Sequence, residues 1–247
     1  MGGPLQRPAK LAVATAHRIV ADIDREGLRP GDRLPTEVDL QERYDVSRAT
    51  LREALRLLEV HGVLSTRAGR TGGAVVRTPA AAELGAVLAL TLQFADAPYS
   101  SVVETRQAID PLLARFAAER ATDDELDRLR DLLAELAGQE HGDPVGFLRA
   151  NRAFGTALAE ATHNPPLQLF AQALSEIIST RFTSEARNLR GRERVVRARR
   201  RVLEAVRARD PRAAEAAAAD YVAAYDAVVA GPAPGLLATR VSWPMPR

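Results

Sequence analysis

Two short runs of strand-forming residues, Val63–Thr66 and Ala74–Arg77, interrupt a chain that otherwise follows helical spacing. The sequence AGRTGG between them favours a β-hairpin with a basic, glycine-rich tip. Three helical patterns precede these runs, and only helical patterns follow them. The first part of the chain is therefore constrained to three helices and a hairpin, which is the order of a winged helix-turn-helix.

The three helical patterns before the hairpin have chemically marked ends. The first predicts a helix of about 16 residues that stops at Gly27. Thr36 and Asp39 form a capping pair for a short second helix that runs to Tyr44. Ser47 is the predicted N-cap of the third helix. The apolar positions that define the first and third patterns are Leu11, Ile19, Val20 and Ile23, and Leu51, Ala54, Leu55 and Leu58.

The chain beyond the hairpin predicts an all-α bundle of six or seven helices, so the fold class is mainly α. Pro79 marks a linker at 79–82 between the winged helix-turn-helix domain at 9–78 and a helical domain at 83–230. The proline-rich segment 231–247 has no period, and we expect a flexible, dispensable tail. Spacing and capping signals predict helices near 83–94, 101–120, 123–138, 144–161, 166–189, 193–208 and 211–229.

Composition narrows the class of protein. The 247 residues suffice for two domains, and no apolar run approaches the ~20 residues of a membrane span, so no membrane partner is expected. The absence of cysteine excludes a disulfide scaffold, a thiolate zinc site and a cysteine nucleophile. The opening MGGPLQRPAK lacks the apolar core of a secretory signal, which predicts a cytoplasmic protein. A net charge of +2 does not by itself indicate nucleic-acid binding.

The arginines of the third helix do indicate nucleic-acid binding. Arg48, Thr50 and Arg52 lie off the leucine face near the helix start. This part of a recognition helix enters the major groove, where an arginine can bond both guanine O6 and N7. The hydroxyls of Ser47 and Thr50, with the backbone N–H groups beside them, suit phosphate.

The hairpin supplies further candidates for DNA contact. Arg67 and Arg70 would lie along the DNA backbone or in the minor groove. Arg33 and Gly69 complete the candidate DNA-binding set. A solvated basic face is the alternative for any of these arginines, and the winged-helix context favours DNA.

Three segments of the first domain carry a family resemblance. PGDRLPTE at 30–37, VSRATLREAL at 46–55 and LEVHGVL at 58–64 resemble the DNA-binding domain of GntR-family transcriptional regulators. The resemblance covers residues 9–77 and implies sequence-specific binding to double-stranded DNA.

The second domain resembles the FCD ligand-binding domain of the FadR subfamily over residues 83–229. The motifs that carry this resemblance are ETR at 104–106, DPLLA at 110–114 and AVRARD at 205–210. In such proteins the domain forms the homodimer and binds a small metabolite that alters DNA affinity. The resemblance therefore implies a homodimer on a short palindromic operator.

This sequence differs from many FCD domains at their metal site. Those domains hold a divalent ion with an Asp and a His four residues apart on one helix, and with two further His on the last two helices. The matching positions here are Asn151, Gly155, Arg199 and Tyr221, which offer neither carboxylate nor imidazole. The histidines are scattered, at His17, His61, His141 and His163. We expect no metal and no other cofactor.

These substitutions predict a different polar centre. Arg199 projects from an apolar stripe toward the bundle interior, and a buried guanidinium needs an anion. Glu104 would make an internal ion pair, whereas an effector such as a small carboxylate or an acyl-CoA-like molecule would make a binding site. Arg106 is a second donor, and Asn151 and Tyr221 are neutral partners. The stripes of the last two helices are Val195, Val202 and Val206, and Ala214, Ala218, Tyr221, Tyr225 and Val228.

Two other patterns have plainer explanations. The arginine run from Arg190 to Arg201 reads as a solvated face, with a second nucleic-acid surface as the alternative. Four phenylalanines at helical spacing favour a core position, and these are Phe147, Phe154, Phe170 and Phe182.

The leading hypothesis is thus a dimeric, effector-responsive DNA-binding transcriptional regulator. An enzyme with a DNA-binding appendage is disfavoured, because no glycine-rich phosphate loop after a strand, metal cluster or Ser-His-acid set is present in the sequence. The remaining alternative is a ligand-free dimeric DNA-binding protein whose second domain only dimerises. A site lined by Arg106, Arg199 and Tyr221, in place of a closed core, would distinguish the two.

Overall fold

The computed structural model describes residues 6–67, 73–185, 191–229 and 234–243, with side chains for 9–66, 73–179, 191–228 and 235–243. The chain divides into two compact units, Met1–Glu83 and Leu84–Arg247. Within the described residues, the regular structure is mostly helical, with a single two-stranded sheet. The predicted fold class is confirmed.

The first unit has the predicted order of three helices and a hairpin. The strands pair antiparallel, with Leu64 opposite Val76 and Arg67 opposite Gly73. Its elements are α1 (Gln6–Arg25), α2 (Glu37–Tyr44), α3 (Arg48–Val60), β1 (Leu64–Arg67) and β2 (Gly73–Val76).

Helix α1 is longer than predicted and turns a different face inward. It has 20 residues, and Leu11 and Val20 are exposed although the sequence pattern assigned them to the buried face. The small residues Ala12 and Ala16 are buried with Ile19 instead. An apolar residue on a helix does not by itself fix the buried stripe, because a neighbouring helix can pack closely against alanines.

Capping chemistry fixes both ends of α2, the second of which begins the turn to α3. The Thr36 hydroxyl accepts a hydrogen bond from the Asp39 backbone N–H, and the Asp39 carboxylate accepts one from the Thr36 backbone N–H. Asp45 ends α2 in the left-handed region, with a φ of 52°. Behind the turn, the leucine face of α3 forms the core of the unit with the following buried side chains: Ile19, Leu40, Tyr44, Leu51, Ala54, Leu55, Leu58 and Leu64.

The second unit is the predicted helical bundle. Helix α4 (Ala81–Phe94) begins within the first unit, and its remaining residues belong to the second. The other helices are α5 (Tyr99–Arg120), α6 (Asp123–Gly138), α7 (Pro144–Glu160), α8 (Pro165–Glu185), α9 (Arg192–Arg207) and α10 (Pro211–Val229). No helix in the described part of the chain is long and apolar enough to cross a membrane.

Helices α5, α7, α9 and α10 form the centre of the bundle. Phe147 and Phe154 of α7 are fully buried there, as the sequence predicts, and so is Tyr221 of α10. Phe170 of α8 is 52% exposed, so its predicted core position is wrong. Phe182 lies outside the residues with described side chains.

The segment after α10 differs from the flexible tail that the sequence predicts. Val241 is fully buried in the bundle core, and its backbone N–H donates to the Ala97 carbonyl. The Tyr99 N–H donates to the Thr239 carbonyl, and Arg240 forms an ion pair with Asp96. These contacts are with the α4–α5 connection, far away in sequence, so a local composition signal could not reveal them.

Candidate functional site

Ser47 fixes the start of α3, the predicted recognition helix. Its hydroxyl accepts a hydrogen bond from the Thr50 backbone N–H at 3.2 Å, and the two hydroxyls lie 2.9 Å apart. A Ser47 cap of this kind leaves other N–H groups of the first turn pointing away from the helix, where the helix dipole favours an anion. The first turn contains no acidic residue to occupy that position.

Arg48 and Arg52 extend from this end of α3 into solvent. Both side chains are exposed, and the Arg48 Nε lies 3.9 Å from Glu37 Oε2 across the turn. Both residues of this pair are largely exposed, so the interaction is weak and easily exchanged for a phosphate or a base edge. The structure therefore brings Ser47, Arg48, Thr50 and Arg52 together on one exposed helix end.

Arg33 lies beside the hairpin. Its backbone bridges to Val75, and the adjacent Leu34 N–H donates to the Ala74 carbonyl. The segment before α2 thus extends the edge of strand β2 and brings Arg33 to the hairpin. The Arg67 backbone ends β1, while its side chain and all of Gly69 and Arg70 lie outside the described residues.

Tyr44 fastens α1 to the helix-turn-helix. Its hydroxyl donates to Asp22 Oδ2 at 2.9 Å, and the Arg18 guanidinium lies 5.0 Å from its ring centre while donating to its carbonyl. Burial, together with the neighbouring Asp22 carboxylate, raises the pKa of Tyr44 to about 12. This support holds the end of α2 in place next to the recognition helix.

The polar centre of the second unit is built from four helices. Arg106 of α5, Asn151 of α7, Arg199 of α9 and Tyr221 of α10 are each at least nine-tenths buried. The structure therefore brings together all four residues that the sequence proposed for effector binding. Tyr225 of α10 is buried beside them, with its ring centre 5.9 Å from that of Tyr221.

Among the described residues, Arg199 has aromatic and amide partners and no acidic one. Its Nε donates to Asn151 Oδ1 at 3.1 Å, and its guanidinium carbon lies 3.5 Å from the Tyr221 ring centre and 4.8 Å from that of Phe154. The Tyr221 hydroxyl also donates to Asn151 Oδ1, and Asn151 Nδ2 donates to the hydroxyl. Within the described part of the chain, no carboxylate forms a salt bridge with this arginine.

The terminal nitrogens of Arg199 donate no hydrogen bond to a described residue. Every deeply buried side-chain nitrogen or oxygen among the described residues has a hydrogen-bond partner, so each of these two nitrogens retains some accessible surface. Burial lowers the pKa of Arg199, and the Arg106 charge adds to this effect, while Tyr221 and Asp110 oppose it. A guanidinium nevertheless stays protonated in proteins.

Arg106 has an acidic partner on its own helix, which the sequence analysis did not name. Its Nη2 donates to Asp110 Oδ2 at 2.7 Å, one helical turn away, whereas Glu104 is exposed. Burial acts to lower the pKa of Arg106, but Asp110 and the two tyrosines more than offset it. Glu104 was the alternative partner for Arg199, and the exposed position of Glu104 leaves no such internal ion pair among the described residues. Residues four apart on a helix are neighbours, and that spacing was the signal for the pair of Arg106 and Asp110.

Gly155 makes room for the Arg199 guanidinium. A Cβ atom at this position would lie 3.2 Å from Arg199 Nη2. Among the described residues, no group of three or more His, Cys, Asp or Glu side chains is placed to hold a metal ion. The donors at the polar centre are two guanidiniums, an amide and two phenols. These groups suit an anion and are poor ligands for a cation.

The comparison with known proteins decides the family. A model described as "FCD domain" matches residues 101–224, and one described as "Bacterial regulatory proteins, gntR family" matches residues 11–75. The HTH-type transcriptional regulator YcbG of Bacillus subtilis is 31% identical over 201 residues, which cover 81% of this chain and 82% of the relative. The chain belongs to the GntR family.

Other relatives agree with this assignment. A putative L-lactate dehydrogenase operon regulatory protein of Escherichia coli is 38% identical over 161 residues, 64% of this chain and 60% of the relative. The solved structure of Streptococcus agalactiae GntR superposes with a TM-score of 0.67 at 27% identity, covering 87% of this chain and 98% of that one. This GntR-family protein is a DNA-binding transcriptional regulator with an FCD domain, and not an enzyme.

Proposed function

We propose that this GntR-family regulator binds a palindromic operator as a homodimer and releases or engages it in response to a small anion held at the polar centre. DNA is read by Arg48, Thr50 and Arg52 of the exposed end of α3. The anion is bound by Arg199 and Arg106, with Asn151 and Tyr221 as neutral partners.

One observation carries the effector proposal: Arg199 is 5% exposed and has no acidic partner among the described residues. Leaving a buried cation unpaired is costly, and an apolar residue at this position would fill a closed core without that cost. Only the Nε of Arg199 donates a hydrogen bond to a described residue, so its two terminal nitrogens remain available to an anion. The ligand-free alternative, in which the bundle only dimerises, leaves this arginine unexplained.

The name of one relative is consistent with a carboxylate effector. The Escherichia coli relative is named as a regulator of an L-lactate dehydrogenase operon, and lactate is a small carboxylate. Arginine recognises a carboxylate through two parallel N–H bonds, which makes these donors suitable for such a ligand.

Helix α4 supports the homodimer. Its sequence AAELGAVLALTLQF is almost entirely apolar, yet Val87 is 63% and Phe94 is 82% exposed. A two-fold contact needs a surface complementary to itself, and an uncharged apolar face meets that need. We expect a Val87→Arg, Phe94→Arg double variant to sediment as a monomer and to lose operator affinity. A dimer of unchanged stability would show that the subunits meet elsewhere.

The experiment that tests the effector proposal starts with a thermal-shift screen of carboxylates and acyl-CoAs on the intact protein. Operator affinity is then measured with and without the compound that stabilises it. Arg199→Ala should abolish the response while effector-free operator binding stays near wild type, and Arg199→Lys should fail largely too, since an ammonium lacks the planar fork. Arg200→Ala, an exposed neighbour on α9, is the matched control.

Two outcomes would overturn the proposal. A normal response of Arg199→Ala to the identified compound would remove the arginine from the binding site. Unfolding of Arg199→Ala, together with the absence of any stabilising anion for the wild type, would make the arginine a structural group and leave dimerisation as the role of the bundle.

A further inference from the structure

The donors that remain free at the polar centre limit how an anion can approach. The Arg199 Nε is already used by Asn151, and the rings of Tyr221 and Phe154 lie against the guanidinium. What remains is the edge that carries the two terminal nitrogens. This edge fits one carboxylate in the plane of the guanidinium.

The charges around that edge are unequal. Arg106 and Arg199 supply two positive charges, and Asp110 neutralises Arg106 by direct contact at 2.7 Å. Asp226 of α10 is half-buried nearby, where it accepts a hydrogen bond from Gln107 at 3.2 Å and touches neither arginine. Arg106, Arg199 and Asp110 together therefore carry one uncompensated positive charge, and Asp226 adds a negative charge near Arg106.

We propose that Asp110 determines the charge of the effector and restricts it to a single carboxylate. The proposal rests on the anion site described above. A second negative charge on the ligand would have no free cation to meet, and Asp110 would repel it in a buried environment that screens charges weakly. Acyl-CoA-like molecules, which carry several phosphate charges, are disfavoured for the same reason.

The charge count can be varied one step at a time. Asp110→Asn leaves two uncompensated positive charges, whereas Arg106→Gln leaves none. The double variant Arg106→Gln, Asp110→Asn returns to one, as in the wild type. Asp110→Glu keeps the charge, and Glu104→Gln removes an exposed acid from the same helix as a control.

The test uses straight-chain monocarboxylates and dicarboxylates with matched numbers of two to six carbons, titrated against the intact chain by calorimetry and thermal shift. The wild type, Asp110→Glu and Glu104→Gln should prefer the monocarboxylate by about tenfold or more. The double variant should keep that preference at a lower affinity, because it lacks the Arg106 contact. Asp110→Asn should lose or reverse that preference, and Arg106→Gln should bind neither series.

Each result has a defined meaning. Equal binding of both series by the wild type, or an unchanged ratio in Asp110→Asn, would overturn the role of Asp110 while the anion site stands. If Asp110→Asn fails to fold, the contrast between Arg106→Gln and the double variant decides the same question. Binding of no acid to any variant would overturn both this inference and the proposed function.

Discussion

The Arg199 guanidinium lies 3.5 Å from the centre of the Tyr221 ring, and the Tyr221 hydroxyl donates to the same Asn151 oxygen that accepts from Arg199. The arginine is thus held by a π face and a neutral amide. Such a pair of supports fixes the position of a buried cation without cancelling its charge. This arrangement leaves the charge available to a ligand.

Asn151→Asp should therefore abolish anion binding, because it neutralises the charge of Arg199. An aspartate has the same shape and can still accept from Arg199 and Tyr221, but it neutralises the guanidinium. We expect the melting temperature to stay equal or rise, and stabilisation by carboxylates to be lost. Asn164→Asp is the control, since Asn164 caps α8 through Leu167 and is not part of the polar centre. Retained carboxylate binding in Asn151→Asp would contradict the charge argument.

Arg48 and Arg52 should be required for operator recognition. Arg48→Ala should cost about 1–3 kcal/mol of binding and relax discrimination at one base pair of each half-site, if the arginine reads a guanine. The measurement is a titration of operator and single-base variants by anisotropy at fixed salt. Arg149→Ala, which removes the same charge from α7, should bind like the wild type. Unchanged affinity in both Arg48→Ala and Arg52→Ala would remove α3 as the reading element.

Tyr44 should make the protein sensitive to alkali. Its folded pKa is raised from 10 to about 12 because burial disfavours the phenolate. The folded state therefore keeps its proton longer than the unfolded state, and the associated stability, roughly 2–3 kcal/mol, is fully present below pH 10 and lost as pH rises toward 12. Chemical denaturation at pH 9 and 11.5 should show a smaller loss for Tyr44→Phe. Parallel losses in the two proteins would show that other groups are responsible.

The segment after α10 should contribute to stability. Val241→Ala removes two methyl groups from a fully buried site, which should lower the free energy of unfolding by about 1–3 kcal/mol. Val145→Ala makes the same chemical change at a 49% exposed position and should have little effect. Thermal denaturation compares the two, and equal melting temperatures would indicate that the segment is detached in solution.

Most of the fold could be predicted from the sequence, because its signals are local. Thr36, Ser47 and Thr122 each mark a helix start by the side-chain cap that the structure contains. The recurring apolar face of α3 and the hairpin runs likewise depend on residues a few positions apart. These signals need no knowledge of distant partners.

The residues of the polar centre could be predicted from the sequence, but their hydrogen bonds and ion pairs only in part. Arg199 was identifiable because it interrupts an apolar stripe. Asn151 and Tyr221 were identifiable because they stand at metal-ligand positions of the domain family that the second domain resembles. The partners depend on helix packing, which placed Asn151 under Arg199 and left Glu104 in solvent. The burial of Val241 likewise depends on a contact more than a hundred residues away in sequence, with Ala97.

Gly155 should be necessary for anion binding and unnecessary for folding. It lies inside α7, where replacement of glycine by alanine normally stabilises a helix by about 1 kcal/mol. The new Cβ would stand 3.2 Å from Arg199 Nη2, so the guanidinium must move by a few tenths of an ångström from the position that Asn151 and Tyr221 define. We therefore expect Gly155→Ala to melt at an equal or higher temperature than the wild type and to bind carboxylates several-fold more weakly.

Gly138→Ala, at the end of α6 where a Cβ meets open space, should leave binding unchanged. Opposite shifts in stability and affinity are a result that simple damage to the fold would not produce, whereas undiminished binding by Gly155→Ala would show that the ligand contacts the guanidinium away from this edge.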